Sequence, residues 1–209
     1  MDDYLSEQEQ WERLKGWLKQ NGPWAVAGIA IAAAGLSGWR WWQARAEQRL
    51  LTAAAEYQQL LAEFGRNDLA AAERHADALV AAYPGTGYAE QAELAAARVE
   101  MENGKAAAAM ERLQRVMQHA TDPGLALTAR LRLARVQVDQ NQADAALATL
   151  AGAEAGAFAP RFAEVRGDAL LAKGDRAGAL AAYRQARAAG AAGTNVDLLD
   201  LKINDLTRS

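Results

Sequence analysis

The residues that could perform chemistry are few and widely separated in this sequence. The two histidines, His75 and His119, have no partner at the spacing of a metal-ligand motif. The sequence has no cysteine, so neither a disulfide nor a thiolate metal site can form. No serine is close to a candidate base that could activate it as a nucleophile. The three serines are Ser6, Ser37 and Ser209. We therefore expect no enzyme activity, no cofactor and no metal.

Two further polar patterns are better explained without catalysis. Residues 84–87 (PGTG) lack the glycine-lysine pair that follows in a phosphate-binding loop, so we interpret them as a loop between helices. Glu100 and Glu102 fall in a charged helical stretch and indicate a solvated face. The net charge of −3 provides no basic surface for nucleic acid. Binding to a polypeptide or to a membrane is the function class that remains.

Such binding would be positioned by an uncharged segment at residues 20–39 (QNGPWAVAGIAIAAAGLSGW). A helix of that length is about 30 Å long, the thickness of a bilayer's hydrocarbon core. Tryptophans flank it on both sides, as aromatic side chains do at the two membrane interfaces. We predict an amphipathic tail at 1–19, a single transmembrane helix at 20–42 and a soluble domain at 43–209. The predicted interface residues are Trp17, Trp24, Trp39, Trp41 and Trp42.

The surroundings of this segment leave its alternatives and its direction open. A cleaved signal peptide or a buried helix of a soluble protein would also contain an apolar run. Residues 21–23 (NGP) predict a break between the tail helix and the membrane helix, with Pro23 in the first turn of the second. Basic residues near the span do not favour either orientation, because three lie on each side. They are Arg13, Lys15 and Lys19 before it, and Arg40, Arg45 and Arg49 after it.

The soluble part is a helical repeat. Each unit contains five marked positions. The first is a small residue, and Gly or Asn follows seven residues later. Ala comes five residues after that, then a large residue after four more and a small residue after a further three. Three units share this register, and a weaker fourth, at 60–79, precedes them. The units are Ala97–Gly104–Ala109–Leu113–Val116, Ala134–Asn141–Ala146–Leu150–Ala153 and Gly167–Gly174–Ala179–Tyr183–Ala186. The pattern resembles the tetratricopeptide repeat, a pair of antiparallel helices joined by a tight turn.

The fold class that follows is all-α. Alanine is abundant and β-branched residues are scarce, which favours helices. Because single units cannot bury their apolar faces, we expect them to stack into a right-handed α-solenoid closed by an atypical end. An apolar face at the C-terminus predicts a capping helix there. Its members are Val196, Leu199, Ile203 and Leu206.

The first helix of each repeat pair lines the concave surface in tetratricopeptide solenoids, and that register predicts a partner-binding groove. Its apolar residues and two arginines suit an extended or helical polypeptide with acidic character. Alternatively, these side chains pack against the long first helix. The predicted groove residues are Tyr57, Leu61, Phe64, Leu94, Arg98, Met101, Leu131, Arg135, Val138 and Leu171.

Several local stretches resemble one known family. They are GWRWW at 38–42, LRLARVQ at 131–137, QADAAL at 142–147, RGDALLAKGD at 166–175 and KIN at 202–204. Together with the acidic, aromatic N-terminal helix, they resemble the YfgM family of bacterial inner-membrane proteins, the ancillary subunits of the Sec translocon. The resemblance is less specific between residues 63 and 120.

The resemblance implies a single-pass protein of the bacterial inner membrane, with its N-terminus in the cytoplasm and its repeat domain in the periplasm. It also implies association with the SecYEG translocon and with a periplasmic chaperone of the PpiD type. Unfolded client polypeptides and membrane lipid are further expected partners. The expected role is to help newly translocated envelope proteins pass from translocon to chaperones. The alternative is a membrane-tethered adaptor or regulator of an envelope stress pathway, with no direct role in translocation.

Overall fold

The described part of the chain is helical throughout. The computed structural model describes residues 7–190 and 196–208, and their side chains except those of residues 7–10 and 25. The chain divides between Leu51 and Thr52 into two compact units. The helices are α1 (Glu7–Gly65), α2 (Leu69–Ala82), α3 (Gly87–Glu102), α4 (Ala106–His119), α5 (Pro123–Asp139), α6 (Ala143–Leu150), α7 (Ala159–Ala172), α8 (Arg176–Ala188) and α9 (Val196–Arg208), with a short 3-10 turn at Gly156–Phe158 before α7.

Helix α1 continues through the position where the sequence predicts a break. Pro23 lies inside the helix, so the prediction that residues 21–23 end one helix and begin another is wrong. The proline ring removes one backbone donor and crowds the carbonyl four residues earlier, which bends a helix without having to end it. The side-chain amide of Asn21 donates to the Trp17 carbonyl (3.2 Å) in this turn. The segments Trp11–Trp24 and Val26–Gly65 meet at 48°.

The bend affects the prediction of a membrane span. Among the described residues, no straight helix alone has both the length and the hydropathy of a span. The pair of segments on either side of the bend meets that test together, by length and composition only. The apolar side chains that follow the bend, including Val26, Ile29, Ile31 and Leu36, are exposed.

The turns within the repeats lie where the sequence predicts them. Asn67 and Asn141 both have φ of 58°, while Gly104 and Gly174 have φ of 73° and 82°. This left-handed backbone region is open to glycine and tolerated by asparagine, whereas other side chains are strained there. The Gly-or-Asn position of each repeat therefore reverses the chain between the two helices of a pair.

The small residues of the repeat lie where the paired helices cross. Ala97 and Ala134 are buried in their pairs, against α4 and α6. The third pair crosses closely, because a Cβ atom built on Gly167 would lie 2.4 Å from the ring of Tyr183. Since real Cβ atoms do not approach so closely, only glycine fits beside this buried tyrosine.

The hydrophobic core runs as four clusters in series along Thr52–Ser209. The first joins the end of α1 to α2 and α3 around Leu60, and the second joins α3, α4 and α5 around Leu113. The third joins α5, α6 and α7, and the fourth joins α7, α8 and α9. Each helix from α2 to α9 contacts the next one, and α3, α5 and α7 also contact in sequence. This is the neighbour-to-neighbour packing of a repeat protein; the right-handed sense of the solenoid remains a prediction.

The capping helix α9 closes the last pair. Leu199 is completely buried, and it packs with Ile203 and Leu206 against α7 and α8. Val196 does not join them and is 46% exposed, which corrects its place in the predicted apolar face. It is the first residue of α9, one turn before the contact begins.

Candidate partner-binding groove

Two adjoining cavities form a groove on the face shared by the end of α1, α3 and α5. The first has a volume of about 350 Å³, and its apolar wall is built by Tyr57, Leu61 and Phe64. The second has a volume of about 280 Å³ and lies along α3 and α5. The cavities share Leu94, Arg98 and Arg132. We call these two cavities together the groove.

Seven of the predicted groove residues line these cavities. Six of them lie on α1 and α3, at the positions that the repeat register predicts. The seventh, Arg135, is the predicted residue of α5 that lines a cavity. The seven are Tyr57, Leu61, Phe64, Leu94, Arg98, Met101 and Arg135. For α1 and α3 the helical face chosen from the sequence therefore coincides with the face that lines the cavities.

The other three predicted residues line neither cavity. Leu131 is buried in the third core cluster, and Val138 packs against the same cluster. Leu171 lies exposed on α7, away from both cavities. These placements correct the sequence-based position of Leu131, because a core residue cannot present its side chain to a ligand in the groove.

On α5 the side chains that face the cavities lie one residue later than the predicted Leu131 and Val138. The side chains of α5 that line the cavities follow a three-four helical spacing, whereas Leu131 and Val138 lie on the adjacent stripe toward α6. The lining residues are Leu125, Thr128, Arg132, Arg135, Val136 and Asp139. Sequence reasoning missed Arg132, although the spacing of Leu125, Thr128, Arg132 and Arg135 would have identified it.

The aromatic wall of the first cavity is partly fixed by contacts within the protein. The rings of Tyr57 and Tyr88 have centroids 5.9 Å apart and are tilted by 44°. The Arg98 guanidinium lies 5.8 Å from the ring centroid of Phe64. Burial raises the pKa of Tyr57, and the charge of Arg132 partly opposes this shift. The phenol therefore stays neutral and can donate or accept a hydrogen bond at the cavity wall.

Three arginines and one carboxylate, that of Asp139, line the groove. Arg98 donates through Nε to Glu102 Oε1 (2.8 Å), an exposed pair one turn apart on α3. Arg132 donates through Nη1 to the carbonyl oxygen of Leu94 (3.2 Å). Within the described part of the chain, neither Arg132 nor Arg135 forms an ion pair with a carboxylate. The groove thus contains more positive charge than its own residues neutralise.

The excess charge is evident at Arg132. Burial, and then the neighbouring charges of Arg135 and Arg98, lower the pKa of its guanidinium. Each effect disfavours the charged form, since burial removes water and like charges repel. Arginine stays protonated all the same, and because Arg132 is an exposed residue, water solvates part of its charge.

Elsewhere in the repeat domain, one buried guanidinium is matched by carboxylates, among them that of Glu100, which is buried rather than on the solvated face that the sequence predicts. Arg112 of α4 donates to Glu100 (2.7 Å), Glu93 (2.9 Å) and Asp77 (2.7 Å) on α3 and α2. Burial by itself would lower the pKa of Arg112, but these hydrogen bonds outweigh it and raise the pKa. The ion pairs of this cluster join α2, α3 and α4. The arginines of the groove do not connect three helices in this way.

A second matched cluster joins the end of α1 to α2. His75 bonds Glu56 through Nε2 (2.9 Å) and Glu63 through Nδ1 (3.0 Å). Burial would lower the pKa of His75, whereas the hydrogen bonds to Glu63 and Glu56 raise it, and the net shift is upward. His75 is thereby a packing and charge contact rather than part of the groove.

The predicted interface tryptophans all lie exposed on α1. Trp39 and Trp42 have ring centroids 5.5 Å apart, and the Arg45 guanidinium lies 4.1 Å from the ring centroid of Trp41. Their side chains, like those of Trp17 and Trp24, are more than half exposed. The structure contains no membrane, so their depth in a bilayer stays a prediction.

Comparisons with known proteins match nearly the whole chain. The family model described as a tetratricopeptide repeat-like domain matches residues 15–208. A protein of Haemophilus influenzae named "Ancillary SecYEG translocon subunit" is 30% identical over 202 residues, which cover 97% of this chain and 98% of that protein. A protein of the same name from Escherichia coli is 32% identical over 210 residues, covering 99% of this chain and all of that protein. A third, from Aggregatibacter actinomycetemcomitans, is 30% identical over 97% of this chain.

Proposed function

The chain belongs to the YfgM family of ancillary SecYEG translocon subunits, and from that membership we propose that it is a protein-interaction subunit associated with the Sec translocon. The role is non-catalytic: the domain is a scaffold that holds another polypeptide. The observation that carries this proposal is the groove, in which apolar cavities and unpaired arginines lie side by side.

The groove is suited to a polypeptide rather than to a small metabolite. Its two cavities lie along successive repeats, so an extended or helical segment could place side chains in both. The walls combine aromatic and aliphatic side chains such as Tyr57 and Leu94 with arginine, the mixture found at protein-binding surfaces. A segment with apolar and acidic residues complements this surface.

We further propose that the N-terminal unit is a single-pass anchor in the bacterial inner membrane, with the N-terminus cytoplasmic and the repeat domain periplasmic. Support comes from the exposed apolar side chains after the bend and from tryptophans at both ends of the uncharged segment. In that location the domain would bind a PpiD-type periplasmic chaperone or an unfolded client, and assist the transfer of newly translocated envelope proteins.

The opposite topology is the second candidate. Equal numbers of basic residues flank the segment, so charge does not exclude a domain that faces the cytoplasm. There the protein would act as a membrane-tethered adaptor or regulator of an envelope stress pathway. Reporter fusions at Ser209 separate the two: alkaline phosphatase activity is expected for the first, and cytoplasmic fluorescence of a fluorescent-protein fusion would establish the second.

The groove itself is tested by site-specific photo-crosslinking in cells. A crosslinker at Leu61 or Arg98 should capture a translocon component, a chaperone or a nascent envelope protein. The matched control is the same crosslinker at Arg184, which is exposed on α8, a helix that contributes to neither cavity. Charge reversal of Arg98 and Arg135 should reduce capture from Leu61. Equal capture from Leu61 and Arg184 would contradict the groove proposal.

A further inference from the structure

We propose that Arg132 is the specificity-determining residue of the groove, and that it binds a carboxylate of an internal acidic residue in the partner polypeptide. Apolar residues of the partner on either side of that carboxylate occupy the two cavities. The inference rests on the proposed function and deepens it, because it defines the chemistry of the segment that the groove selects.

The first argument is the charge balance at Arg132. Its side chain lines both cavities beside that of Arg98, and it has no carboxylate partner among the described residues. Elsewhere in the domain a buried guanidinium, that of Arg112, is satisfied by three carboxylates. A cation that lines a groove beside a second cation, and that the protein leaves without a carboxylate, is stabilised by an anion that the ligand brings.

The second argument is the way Arg132 is held. From α5, Nη1 donates to the Leu94 carbonyl of α3, which fixes the guanidinium at the boundary between the cavities. One of its five N–H donors is used in this bond, so an edge of the planar group stays available for a carboxylate. Two parallel N–H···O bonds from such an edge define the ligand's orientation as well as its charge.

The third argument identifies the ligand as a polypeptide rather than an anionic lipid. An acyl chain requires continuous apolar surface, whereas the residues shared by the two cavities include both Arg98 and Arg132. Charge therefore interrupts the apolar lining in the middle of the groove. A polypeptide that alternates apolar and acidic side chains fits this order, because its side chains are separate and can differ in polarity.

The test is selection of random 12-residue peptides displayed on phage against the full-length protein in detergent micelles. The wild-type protein should enrich peptides in which Asp or Glu lies between apolar residues. Selection on Arg132→Gln should still enrich apolar residues, but its enrichment of Asp and Glu should be roughly tenfold lower than that on the wild type. Arg184→Gln is the matched control, because it removes one positive charge from an exposed site outside the groove, and it should select as wild type does.

The outcomes separate this inference from the groove proposal. Apolar enrichment with the same acidic preference in wild type and Arg132→Gln would overturn the role of Arg132 and leave the groove standing. No enrichment on the wild-type protein would overturn both. Short-chain phosphatidylglycerol is the competitor that tests for a lipid ligand. If it displaces the selected peptides from wild type but not from Arg132→Gln, at concentrations below those of the peptides, the ligand is a lipid and the proposal fails.

Thermal unfolding without ligand distinguishes recognition from structural support. If Arg132 serves the ligand, Arg132→Gln removes a repulsive charge and Tm stays the same or rises. A lower Tm together with unchanged peptide selection would assign Arg132 to the scaffold and overturn the proposal. Arg132→Lys keeps the charge but not the planar pair of donors, so it should recover only part of the acidic preference.

Discussion

At Gly167 the absence of a side chain allows Tyr183 to lie buried against α7. The phenol then donates to Asp168 Oδ1 (2.7 Å), and Lys202 of α9 reaches the same oxygen (2.7 Å). Burial and the hydrogen bond with Asp168 raise the pKa of Tyr183, so the phenol stays protonated as a donor. One glycine thus determines the position of a bond network that joins the last three helices.

Gly167→Ala should therefore destabilise the domain. The added Cβ would lie 2.4 Å from the Tyr183 ring, and overpacking of this kind costs about 1–3 kcal/mol. Urea unfolding followed by circular dichroism measures the change. Gly87→Ala is the control: it begins α3 with no atom within 4 Å of its Cβ position, so unchanged or slightly increased stability is expected. Equal stability of both variants would show that the crossing is not tight.

At His75 the consequence depends on pH. Its folded-state pKa is raised, so the stabilisation that its charge contributes is complete below the unfolded value of about 6.5. It disappears as the pH rises through the folded-state pKa, because the native state then loses its extra proton. His75→Gln should accordingly destabilise the protein more at pH 5.5 than at pH 8.5.

The free energy of unfolding of wild type and His75→Gln at the two pH values tests this dependence. Both carboxylates that face His75, Glu56 and Glu63, come from α1. The exposed His119 carries the matched substitution His119→Gln, for which little destabilisation is expected. A His75→Gln effect of the same size at both pH values would argue that packing, rather than charge, is what His75 contributes.

At the level of elements, Arg112 joins α2, α3 and α4. Its side chain is only 13% exposed, whereas Arg115, one turn later, is 51% exposed and shares Glu93 with it. The two arginines thus differ in burial and in their partners, since Arg112 bonds Asp77 and Glu100 as well as the carboxylate that they share.

Arg112→Gln should cost about 3–5 kcal/mol, because it leaves buried carboxylates without their counter-charge. Arg115→Gln removes an exposed pair and should cost about 0–1 kcal/mol. Urea unfolding of both variants provides the comparison. If the two substitutions had equal effects, the buried cluster would not be the contact that holds these helices together.

Elements also show how far the sequence could predict the groove. The repeat register identified the face of α1 and α3 that lines the cavities, since the turn residues Asn67 and Gly104 fix where those helices end and begin. On α5 the same register identified Arg135 but chose Leu131 instead of Arg132. A register carried from one repeat to the next does not resolve neighbouring residues, and here Leu131 packs in the core while Arg132 lines both cavities.

The continuation of α1 through Pro23 is not evident from the sequence either. Asn, Gly and Pro in a row favour a break, but an α-helix that contains a proline can continue if neighbouring carbonyls find partners. The direction of the chain across a membrane is also absent from the residues themselves, because basic residues balance on the two sides.

At the scale of the whole repeat domain, stability depends on neighbours and on the closing helix. Leu199 is completely buried at the end of the series of clusters, while Leu201 on the same helix is 65% exposed. Leu199→Ala should cost about 2–5 kcal/mol, since it removes packing from the terminal cluster. Leu201→Ala should lie within about 0.5 kcal/mol of wild type.

Hydrogen exchange would locate the effect of Leu199→Ala. In a repeat protein each unit is stabilised by its neighbours, so lost protection should concentrate in α7, α8 and α9. The amides of α3 should keep their protection. Uniform loss across all helices would instead indicate that the domain unfolds as one block.

If a partner segment binds in the groove, the position of the groove would give that segment a mechanical effect as well. Its aromatic wall belongs to the first core cluster and Leu94 to the second, so an occupant would touch two successive clusters at once. A bound segment would contact both sides of the boundary between the two clusters and couple them into one cooperative unit. Release of the segment would remove this coupling, so the two clusters would be more rigid relative to each other with a partner bound than without one.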